Sequence, residues 1–565
     1  MNPEVFKPDG TRIEYDVGTI MPDGTRLSSD IYFPAKNQPG PYPVILYRTP
    51  YSNQMDYLLE RGKYFSQNGY VVVCQDVRGR HDSAGEFIRW KHEFTDGNET
   101  INWIGNQEWC DGNVGMAGPS YLGYVQWQAA CMENDFLKCI IPTVMSGDLH
   151  EAPHYQGGAF QLALNTTWSF RTDGKTMQTI DDYDWERLFY HLPIRDIPSA
   201  AGKNISDFVE WVDNPDFGDY WDEINVINKL EDIKIPCLHI GGWYDLYPQG
   251  TLNLFKGMQE RGGSKFAREN QHVIIGPWVH NASETTTAGD IDFGVDSVLD
   301  LKEIELSWFD KWLKDIPDSF EQSSPVKIFM MGSNEWRNEE SWPPKNITNT
   351  PIYLHSNGNS NSASGDGLLS FEKPGKETAD SFTYNPMFPV PTKGGGNCCD
   401  PHIVNWGAFD QREVEARADI LVYTSKTLTS EMEISGPIIL KLFASTDCRD
   451  TDFTAKLVDV FPDGKAINLC DGIIRGRYRD STKQQSLLNP GEVYEFTIDL
   501  YPTSNVFLPG HKIRLDISSS NFPRFDRNPN TGNEFGKDCE LKTANQTIYH
   551  DEKFASHLLL PLKKK

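Results

Sequence analysis

The chain has 565 residues, of which 38% are hydrophobic, 24% charged and 12% aromatic, a composition typical of a folded globular protein. Its formal net charge of −27 argues against a nucleic-acid partner, because phosphate binding requires clustered Lys and Arg. No run approaches 18 apolar residues, and the start has no basic and apolar segment typical of a secretory signal. We therefore expect a cytoplasmic protein with no membrane contact.

Predicted strands and helices alternate along the first 150 residues. Short β-branched runs at 43–48 and 70–79 predict buried strands, and the segment between them has helical spacing. The same pattern returns with strands at 113–118 and 139–145, separated by a further helix. Units of this kind form a parallel sheet covered by helices. Residues 1–150 are therefore predicted as the first part of an α/β core.

The pattern changes twice in the rest of the chain. Residues 151–234 contain aromatic-rich helical segments, which predict a helical cap over the sheet. Sheet patterns return at 235–245 and 271–278, so residues 235–325 are predicted as the second part of the core. From 326 to 565 short strands are separated by Gly, Pro, Asn and Asp turns, which predicts a jelly-roll β-sandwich.

A candidate nucleophile lies where the third predicted strand runs into a helix. The segment VGMAGPSYLGYVQ contains Gly118, Pro119 and Ser120 at this junction. A tight strand-to-helix turn lifts a serine hydroxyl above the sheet and sets it at the positive end of the helix. The second glycine, Gly123, falls one place later than in the G-x-S-x-G pattern. A serine that only caps the helix is the alternative.

A nucleophilic serine needs a base, and the base needs an acid to orient it. Asp245 follows the strand predicted within 235–245, and His280 follows the strand predicted within 271–278. This order, serine then acid then histidine, is the order of the α/β-hydrolase triad. We predict Ser120 as nucleophile, His280 as general base and Asp245 as the orienting acid. Taken singly, the aspartate could cap a helix and the histidine could be a surface residue.

The ten cysteines show no C-x-x-C spacing, so we predict reduced thiols and no metal site. Cys398 and Cys399 are adjacent in GGGNCCD. Neighbours in sequence rarely reach good disulfide geometry, so both are expected to be free thiols in a loop.

Six motifs together resemble the cocaine-esterase and X-Pro dipeptidyl-peptidase family of serine hydrolases, also called CocE/NonD hydrolases. They are RTPYS (48–52), QDVRGRHDSAGEF (75–87), DGNVGMAGPSYLG (111–123), GGWYD (241–245), IGPWVH (275–280) and GHKIRLDISSSNFPRFDRNPNTG (510–532). The resemblance implies an α/β-hydrolase core, a helical cap and a C-terminal jelly roll. It also implies that the Tyr51 hydroxyl and the Tyr121 backbone N–H bind the oxyanion. Asp76, Arg78 and Arg80, in the second motif, are expected to brace loops below the site rather than to act in catalysis.

The resulting hypothesis is a serine hydrolase that cleaves a small-molecule ester, or an amide, through an acyl-enzyme intermediate without a cofactor. An X-Pro dipeptidyl aminopeptidase or an amide acylase is the alternative within the enzymes. A jelly-roll protein that binds a carbohydrate or a protein partner is the alternative of another class. The oligomeric state is left open.

This sequence differs from part of the family at the place where some relatives bind an amine. Relatives that hydrolyse α-amino-acid esters carry acids two and three positions after the catalytic aspartate, where this chain has Tyr247 and Pro248. Glu151 and Asp148 are expected to be solvated acids; the alternative is that they supply negative charge at the entry to the cap. The cap contains the aromatic residues Trp168, Phe170 and Trp185. We expect them either to line an acyl pocket or to pack in the core.

Overall fold

The computed structural model describes residues 4–6, 11–35, 39–320 and 324–564. In its first part three antiparallel strands precede the alternation of strands and helices that the sequence predicts. The strands are β1 (Glu4–Phe6), β2 (Arg12–Ile20), β3 (Arg26–Phe33), β4 (Tyr42–Thr49), β5 (Val71–Asp76), β6 (Cys110–Pro119) and β7 (Leu137–Thr143). The helices are α1 (Asp56–Gln67), α2 (Glu93–Gly105) and α3 (Tyr121–Ala130).

Short helices and one small hairpin follow, in the region predicted as a cap. The hairpin strands are β8 (Tyr155–Gln156) and β9 (Ala159–Phe160). The helices are α4 (Leu162–Arg171), α5 (Trp185–Phe189), α6 (Ile197–Ala200), α7 (Ser206–Asp213) and α8 (Asp219–Ile224). The long apolar strands of the core are absent from this described stretch, in agreement with the sequence pattern.

The alternation of strands and helices then resumes. Its strands are β10 (Cys237–Gly242), β11 (Gln271–Gly276), the small hairpin β12 (Thr287–Ala288) and β13 (Ile291–Asp292), β14 (Val326–Met330) and β15 (Glu335–Glu339). Its helices are α9 (Pro248–Arg261), α10 (Lys265–Glu269) and α11 (Leu301–Leu313). Among the described residues, none of the helices combines the length and apolar character that a membrane crossing requires.

The first large sheet has the strand order β1-β2-β3-β5-β4-β6-β7-β10-β11-β14-β15. From β5 to β14 every neighbouring pair is parallel. The central strands are buried along their whole length, as expected for β-branched runs that helices cover on both faces. Because these strands are parallel, the turns after β4, β6, β10 and β11 lie along one edge of the sheet.

The strand predicted at the start of the jelly roll belongs to the first sheet instead. β14 pairs in parallel with β11, and β15 completes the edge as an antiparallel neighbour of β14. Without β14, the backbone of β11 would be an open edge. A short apolar run predicts a strand but does not indicate which sheet the strand joins.

The remaining strands form a second, largely antiparallel sheet in the order β18-β25-β20-β26-β16-β17-β19-β24-β21-β22, with β23 paired to β20. These strands are β16 (Ile347–His355), β17 (Leu368–Ser370), β18 (Asp380–Tyr384), β19 (Leu421–Ser425), β20 (Met432–Thr446), β21 (Asp452–Val460), β22 (Ala466–Arg475), β23 (Tyr494–Phe507), β24 (Lys512–Ser518), β25 (Ala544–Tyr549) and β26 (His557–Lys563). One short helix, α12 (Arg412–Glu415), lies between them.

The cap hairpin is packed against this second sheet. Phe160 N donates to Asp526 Oδ1 (2.9 Å), and Arg475 N donates to Gly157 O (2.9 Å). Gly157 has φ +54°, and a Cβ there would lie 2.0 Å from Ile473 O. Such a close approach of two backbones requires glycine. The cap is therefore held in place by residues from the far end of the chain.

Candidate active site

Ser120 lies in a strained turn between β6 and α3. Its backbone has φ 57° and ψ −122°, a conformation that costs a non-glycine residue about 1–3 kcal/mol. Ser120 N donates to Thr143 O (2.9 Å), and Ser120 O accepts from Gly123 N (2.8 Å) and Tyr124 N (3.0 Å). These bonds hold the serine at the edge of the sheet and at the N-terminus of the helix.

Glycines on both sides of the serine allow the strand and the helix to come close. Gly118 has φ +133°, and a Cβ there would lie 2.6 Å from Leu122 Cβ. A Cβ on Gly123 would lie 3.1 Å from Thr143 O. The glycine that falls one place late in the motif therefore still serves the close packing that this turn requires.

Asp245 and His280 are hydrogen-bonded at the same edge of the sheet. His280 Nδ1 lies 2.7 Å from Asp245 Oδ1, with the aspartate side chain fully buried and that of the histidine 11% exposed. Because a carboxylate only accepts, Nδ1 carries the proton and Nε2 is the basic nitrogen. Tyr247 N also donates to Asp245 Oδ2 (3.3 Å). The structure thus brings together the predicted acid and base after two neighbouring strands.

Tyr51 reaches the serine from the turn after β4. Its hydroxyl accepts from Trp168 Nε1 (3.1 Å), and the Ser120 side chain lies near it. Burial raises the pKa of Tyr51 more than these two side chains lower it, so the hydroxyl keeps its proton and can donate to an oxygen. The position agrees with the role that the resemblance implies for this residue.

The side chain of Tyr121 is anchored away from the serine. Its hydroxyl donates to Glu93 Oε1 (2.8 Å) and accepts from Trp90 N (3.2 Å). Its ring stacks on Trp90 with centroids 4.1 Å apart. The backbone N–H of Tyr121 is at the first position of α3, where a helix leaves its N–H groups without intrahelical partners.

Of the three aromatic cap residues, Trp168 is the one bonded to a predicted site residue. It donates to the Tyr51 hydroxyl and stacks on Trp90 with centroids 5.5 Å apart. Phe170 is fully buried and packs against Trp185 at 5.6 Å, so its place is in the cap core. Trp185 also lines a groove of about 700 Å³ on the surface of the cap.

Asp76 and Arg80 fix the loop that carries Tyr51. Asp76 Oδ1 accepts from Asn53 N (2.7 Å), and Arg80 Nε donates to Pro50 O (2.7 Å). Burial raises the pKa of Asp76 to about 7. These contacts are on the residues next to the tyrosine, as expected for bracing residues.

Glu151 is half-buried, which differs from the expectation of a solvated acid. Burial, together with the charges of Asp148 and Asp499, raises its pKa to about 8. Beside the base, the ring of Tyr247 lies 5.8 Å from that of His280. The place where relatives carry an acid is therefore filled by a buried aromatic ring.

The expectation that Cys398 and Cys399 are free thiols is wrong, because the two form a disulfide. Cys399 has φ 84°, in the left-handed region that non-glycine residues seldom adopt. A ring nitrogen of His280 and both sulfur atoms lie within 4.8 Å of one another. A Cβ on Gly396 would lie 2.5 Å from Asp245 O. The sequence marked this segment only by its glycines and paired cysteines.

Two protein-family models together match most of the chain. Residues 23–282 match the family described as X-Pro dipeptidyl-peptidase (S15 family), and residues 318–559 match the X-Pro dipeptidyl-peptidase C-terminal non-catalytic domain. The chain is 38% identical to the cocaine esterase of Rhodococcus sp. (strain MB1 Bresler) over an alignment of 577 residues. This alignment covers 96% of this chain and 97% of the relative.

Two solved structures share the fold over almost the whole chain. An α-amino acid ester hydrolase has a TM-score of 0.86 at 24% identity and covers 99% of this chain and 98% of its own. An aminopeptidase from the marine sediment archaeon Thaumarchaeota archaeon has a TM-score of 0.87 at 24% identity, and the match covers 100% of this chain and 98% of the aminopeptidase. These structures confirm the predicted fold class, an α/β-hydrolase core with a cap and a C-terminal β domain.

Proposed function

Because the chain belongs to the serine hydrolase family of cocaine esterase and the X-Pro dipeptidyl-peptidases, we propose that Ser120, His280 and Asp245 are its catalytic triad and that it cleaves esters. The family and the enzyme class predicted from the sequence are confirmed by this membership. The 2.7 Å contact between His280 Nδ1 and Asp245 Oδ1 is the observation that carries the assignment of the triad.

In the acylation step, Ser120 Oγ attacks the carbonyl carbon of the ester while His280 Nε2 takes the hydroxyl proton. Asp245 stabilises the imidazolium that forms. The carbonyl oxygen becomes an oxyanion, which accepts hydrogen bonds from the Tyr51 hydroxyl and the Tyr121 N–H. The imidazolium then gives its proton to the departing alkoxide, and the alcohol leaves.

Hydrolysis of the acyl-enzyme repeats these roles with water as the nucleophile. His280 Nε2 takes a proton from water, and the resulting oxygen attacks the acyl carbon. Collapse of the tetrahedral intermediate breaks the bond to Ser120 Oγ, which regains its proton from the imidazolium. The acid product is released and the free enzyme is restored.

The surroundings of the triad support a neutral ester over a substrate with a free amino group. Tyr247 and Pro248 occupy the positions where amine-binding relatives carry acids. The pKa of Glu151 is raised to about 8, so at pH 7 most of this carboxyl group is neutral and gives an ammonium group little attraction. Dipeptidyl aminopeptidase activity requires such an attraction for the substrate's amino terminus.

Covalent labelling together with a substrate panel tests the assignment. A fluorophosphonate transfers its phosphonyl group to an activated serine with loss of fluoride, and peptide mass spectrometry identifies the labelled residue. We expect the label on Ser120, and turnover of p-nitrophenyl esters but not of X-Pro p-nitroanilides. Ser120→Ala is expected to lose both the label and the turnover.

Ser66→Ala is the control, because Ser66 is a buried serine whose hydroxyl donates to Lys63 O on helix α1. This variant is expected to label and to turn over as the wild type does. Labelling of another serine, or full turnover by Ser120→Ala, would overturn the nucleophile. Turnover confined to the X-Pro anilides would move the proposal to the peptidase.

A further inference from the structure

The pair Cys398 and Cys399 lies against the imidazole of His280, although it comes from the second sheet's part of the chain. Both sulfur atoms and a ring nitrogen lie within 4.8 Å of one another. The segment is fixed from the cap as well, since Arg171 Nη1 donates to Cys399 O (3.1 Å) and Arg171 Nη2 pairs with Asp400 Oδ2 (2.7 Å). Contacts from Arg171 of the cap therefore help to hold the two sulfur atoms beside the imidazole of His280.

The histidine is oriented as a metal-binding histidine would be. Its Nδ1 is hydrogen-bonded to the buried carboxylate of Asp245, which leaves Nε2 with the free lone pair. Proteins use a carboxylate behind an imidazole in this way to orient zinc ligands. Two thiolates and one imidazole nitrogen are ligands that zinc prefers, and a water molecule can complete the tetrahedron.

We propose that reduction of the Cys398–Cys399 disulfide creates a site for Zn²⁺ or another thiophilic divalent cation, with both thiolates and Nε2 of His280 as ligands, and that the bound cation stops hydrolysis. The blocking of hydrolysis rests on the proposed role of His280 as general base. The binding of the cation does not rest on that role.

The reaction needs a reductant of the phosphine or dithiol class. With a phosphine and one water molecule, the S–S bond takes up two electrons and two protons, and the phosphine leaves as its oxide. The cation then binds both sulfurs and releases two thiol protons to solvent. Once the Nε2 lone pair is donated to the cation, it can no longer accept the proton of Ser120. In the disulfide, neither sulfur is a thiolate ligand.

Binding of both thiolates to one cation requires the two sulfur atoms, which are bonded to each other in the disulfide, to move apart once that bond is reduced. Zinc–ligand distances of 2.0–2.3 Å put neighbouring ligand atoms of a tetrahedron about 3.5–3.8 Å apart. In the structure the three atoms lie within 4.8 Å. Rotation of the two cysteine side chains between staggered rotamers can supply this separation, while the backbone before them is fixed by the paired hydrogen bonds of Gly395 and Gly407 (2.8 and 2.9 Å).

The first experiment counts thiols and then titrates metal on the full chain. Eight of the ten cysteines are free in the structure, so the unfolded purified protein should contain eight thiols before phosphine treatment and ten after it. The reduced protein, freed of phosphine without oxygen, is titrated with Co²⁺ as a spectroscopic probe. We expect one thiolate-to-cobalt charge-transfer band that saturates at one cation per chain, and no such band without reduction.

The second readout is ester hydrolysis in Zn²⁺. We expect at least a tenfold loss of p-nitrophenyl ester turnover in the reduced protein, reversed by a chelator, and no loss in the untreated protein. Cys539→Ser, which removes an exposed free thiol, should behave as the wild type. Cys398→Ser with Cys399→Ser should lose the cobalt band and the response to zinc.

The outcomes separate the two proposals. Absence of the band in the reduced wild type, or its persistence in the double serine variant, overturns the metal site. A band that appears without reduction overturns the requirement for an open disulfide. Full hydrolysis by a protein whose site is saturated with cation overturns the role of His280 as base, while the band itself still supports the metal site.

Discussion

In the proposed mechanism, the Tyr51 hydroxyl donates a hydrogen bond that the transition state needs. Tyr51→Phe removes the donor while it keeps the ring packed in its place. Loss of one such donor lowers kcat by about 10²–10³. We expect this fall with little change in KM and a small fall in thermal midpoint, because the buried Trp168 N–H loses its acceptor. Steady-state kinetics on a p-nitrophenyl ester measures it.

Trp168→Phe is the comparison for this change, because it removes the N–H that donates to Tyr51 but leaves the tyrosine hydroxyl. Its effect on kcat should be smaller than that of Tyr51→Phe. An unchanged kcat in Tyr51→Phe would contradict the oxyanion role and leave the tyrosine as a packing residue.

Asp76 should make the protein less stable as the pH rises. Its pKa is raised from 3.8 to about 7 by burial, so the folded state holds this proton more tightly than the unfolded state does. The free energy of unfolding therefore falls as the pH rises from about 4 to about 7, and the loss is complete above that range. Asp76→Asn removes the ionisation and retains an oxygen that can accept from Asn53 N.

The expected result is a thermal midpoint higher than that of the wild type at pH 8, with the difference shrinking steadily toward pH 4. Differential scanning fluorimetry across this range measures both proteins. A difference between the two midpoints that is constant with pH would show that the carboxyl group does not titrate as described.

At the scale of elements, the segment from Gly394 to Cys399 packs closely against Asp245, the proposed catalytic acid. A Cβ on Gly396 would lie 2.5 Å from Asp245 O, so Gly396→Ala must move either the segment or the turn after β10. Overpacking of this kind costs about 1–3 kcal/mol. We expect kcat to fall at least tenfold. The control is Gly375→Ala, because a Cβ there meets no atom within 4 Å.

Kinetics and thermal midpoints of the two glycine variants test this. A Gly396→Ala enzyme with wild-type kcat would mean that the contact between the segment and Asp245 has no effect on catalysis. A similar loss in both variants would point to a general effect of alanine in glycine-containing loops.

The sequence predicted the elements whose patterns are local. Ser120, Asp245 and His280 could be located because each follows shortly after a short apolar segment, and such segments become strands of one parallel sheet. The assignment of β14 to a sheet depended on its partner β11, which no local pattern identifies. β2 and β3 were not predicted, since their polar and apolar residues alternate only partly.

The same limit explains the missed neighbour of the base. The contact of Cys398 and Cys399 with His280 joins segments from two different sheets, and neither segment carries a pattern that indicates the other. The fully buried state of Glu93, which pairs with Arg48 under Tyr121, is likewise a product of tertiary packing. Composition predicts charged residues to be exposed, so such pairs are found only in the folded structure.

On the scale of the whole molecule, the cap and the second sheet should lose their structure together. Buried Arg475 pairs with Asp452 and Asp526, and Asp526 also accepts from Phe160 N of the cap hairpin. Removing one partner of a buried network leaves charge and an N–H uncompensated, which costs several kcal/mol. Asp526→Ala should therefore lower the thermal midpoint by several degrees and lower ester turnover over the same range of temperature.

Arg195→Ala is the comparison, because its pair with Asp213 is 39% and 35% exposed, and exposed pairs contribute about 0–1 kcal/mol. Scanning calorimetry and activity after stepwise heating measure both variants. If Asp526→Ala still hydrolyses ester at temperatures where its second sheet has unfolded, the structure of the cap does not depend on that sheet.

The position of β14 also bears on how the chain is made. A ribosome releases the chain from its N-terminus. Strand β11, which His280 follows, therefore emerges some fifty residues before β14, the strand that covers its edge and begins at Val326. During that interval the backbone N–H and C=O groups on the uncovered edge of β11 can pair with a strand of another chain. Nascent chains that stall between these two strands should therefore be the ones that chaperones bind most.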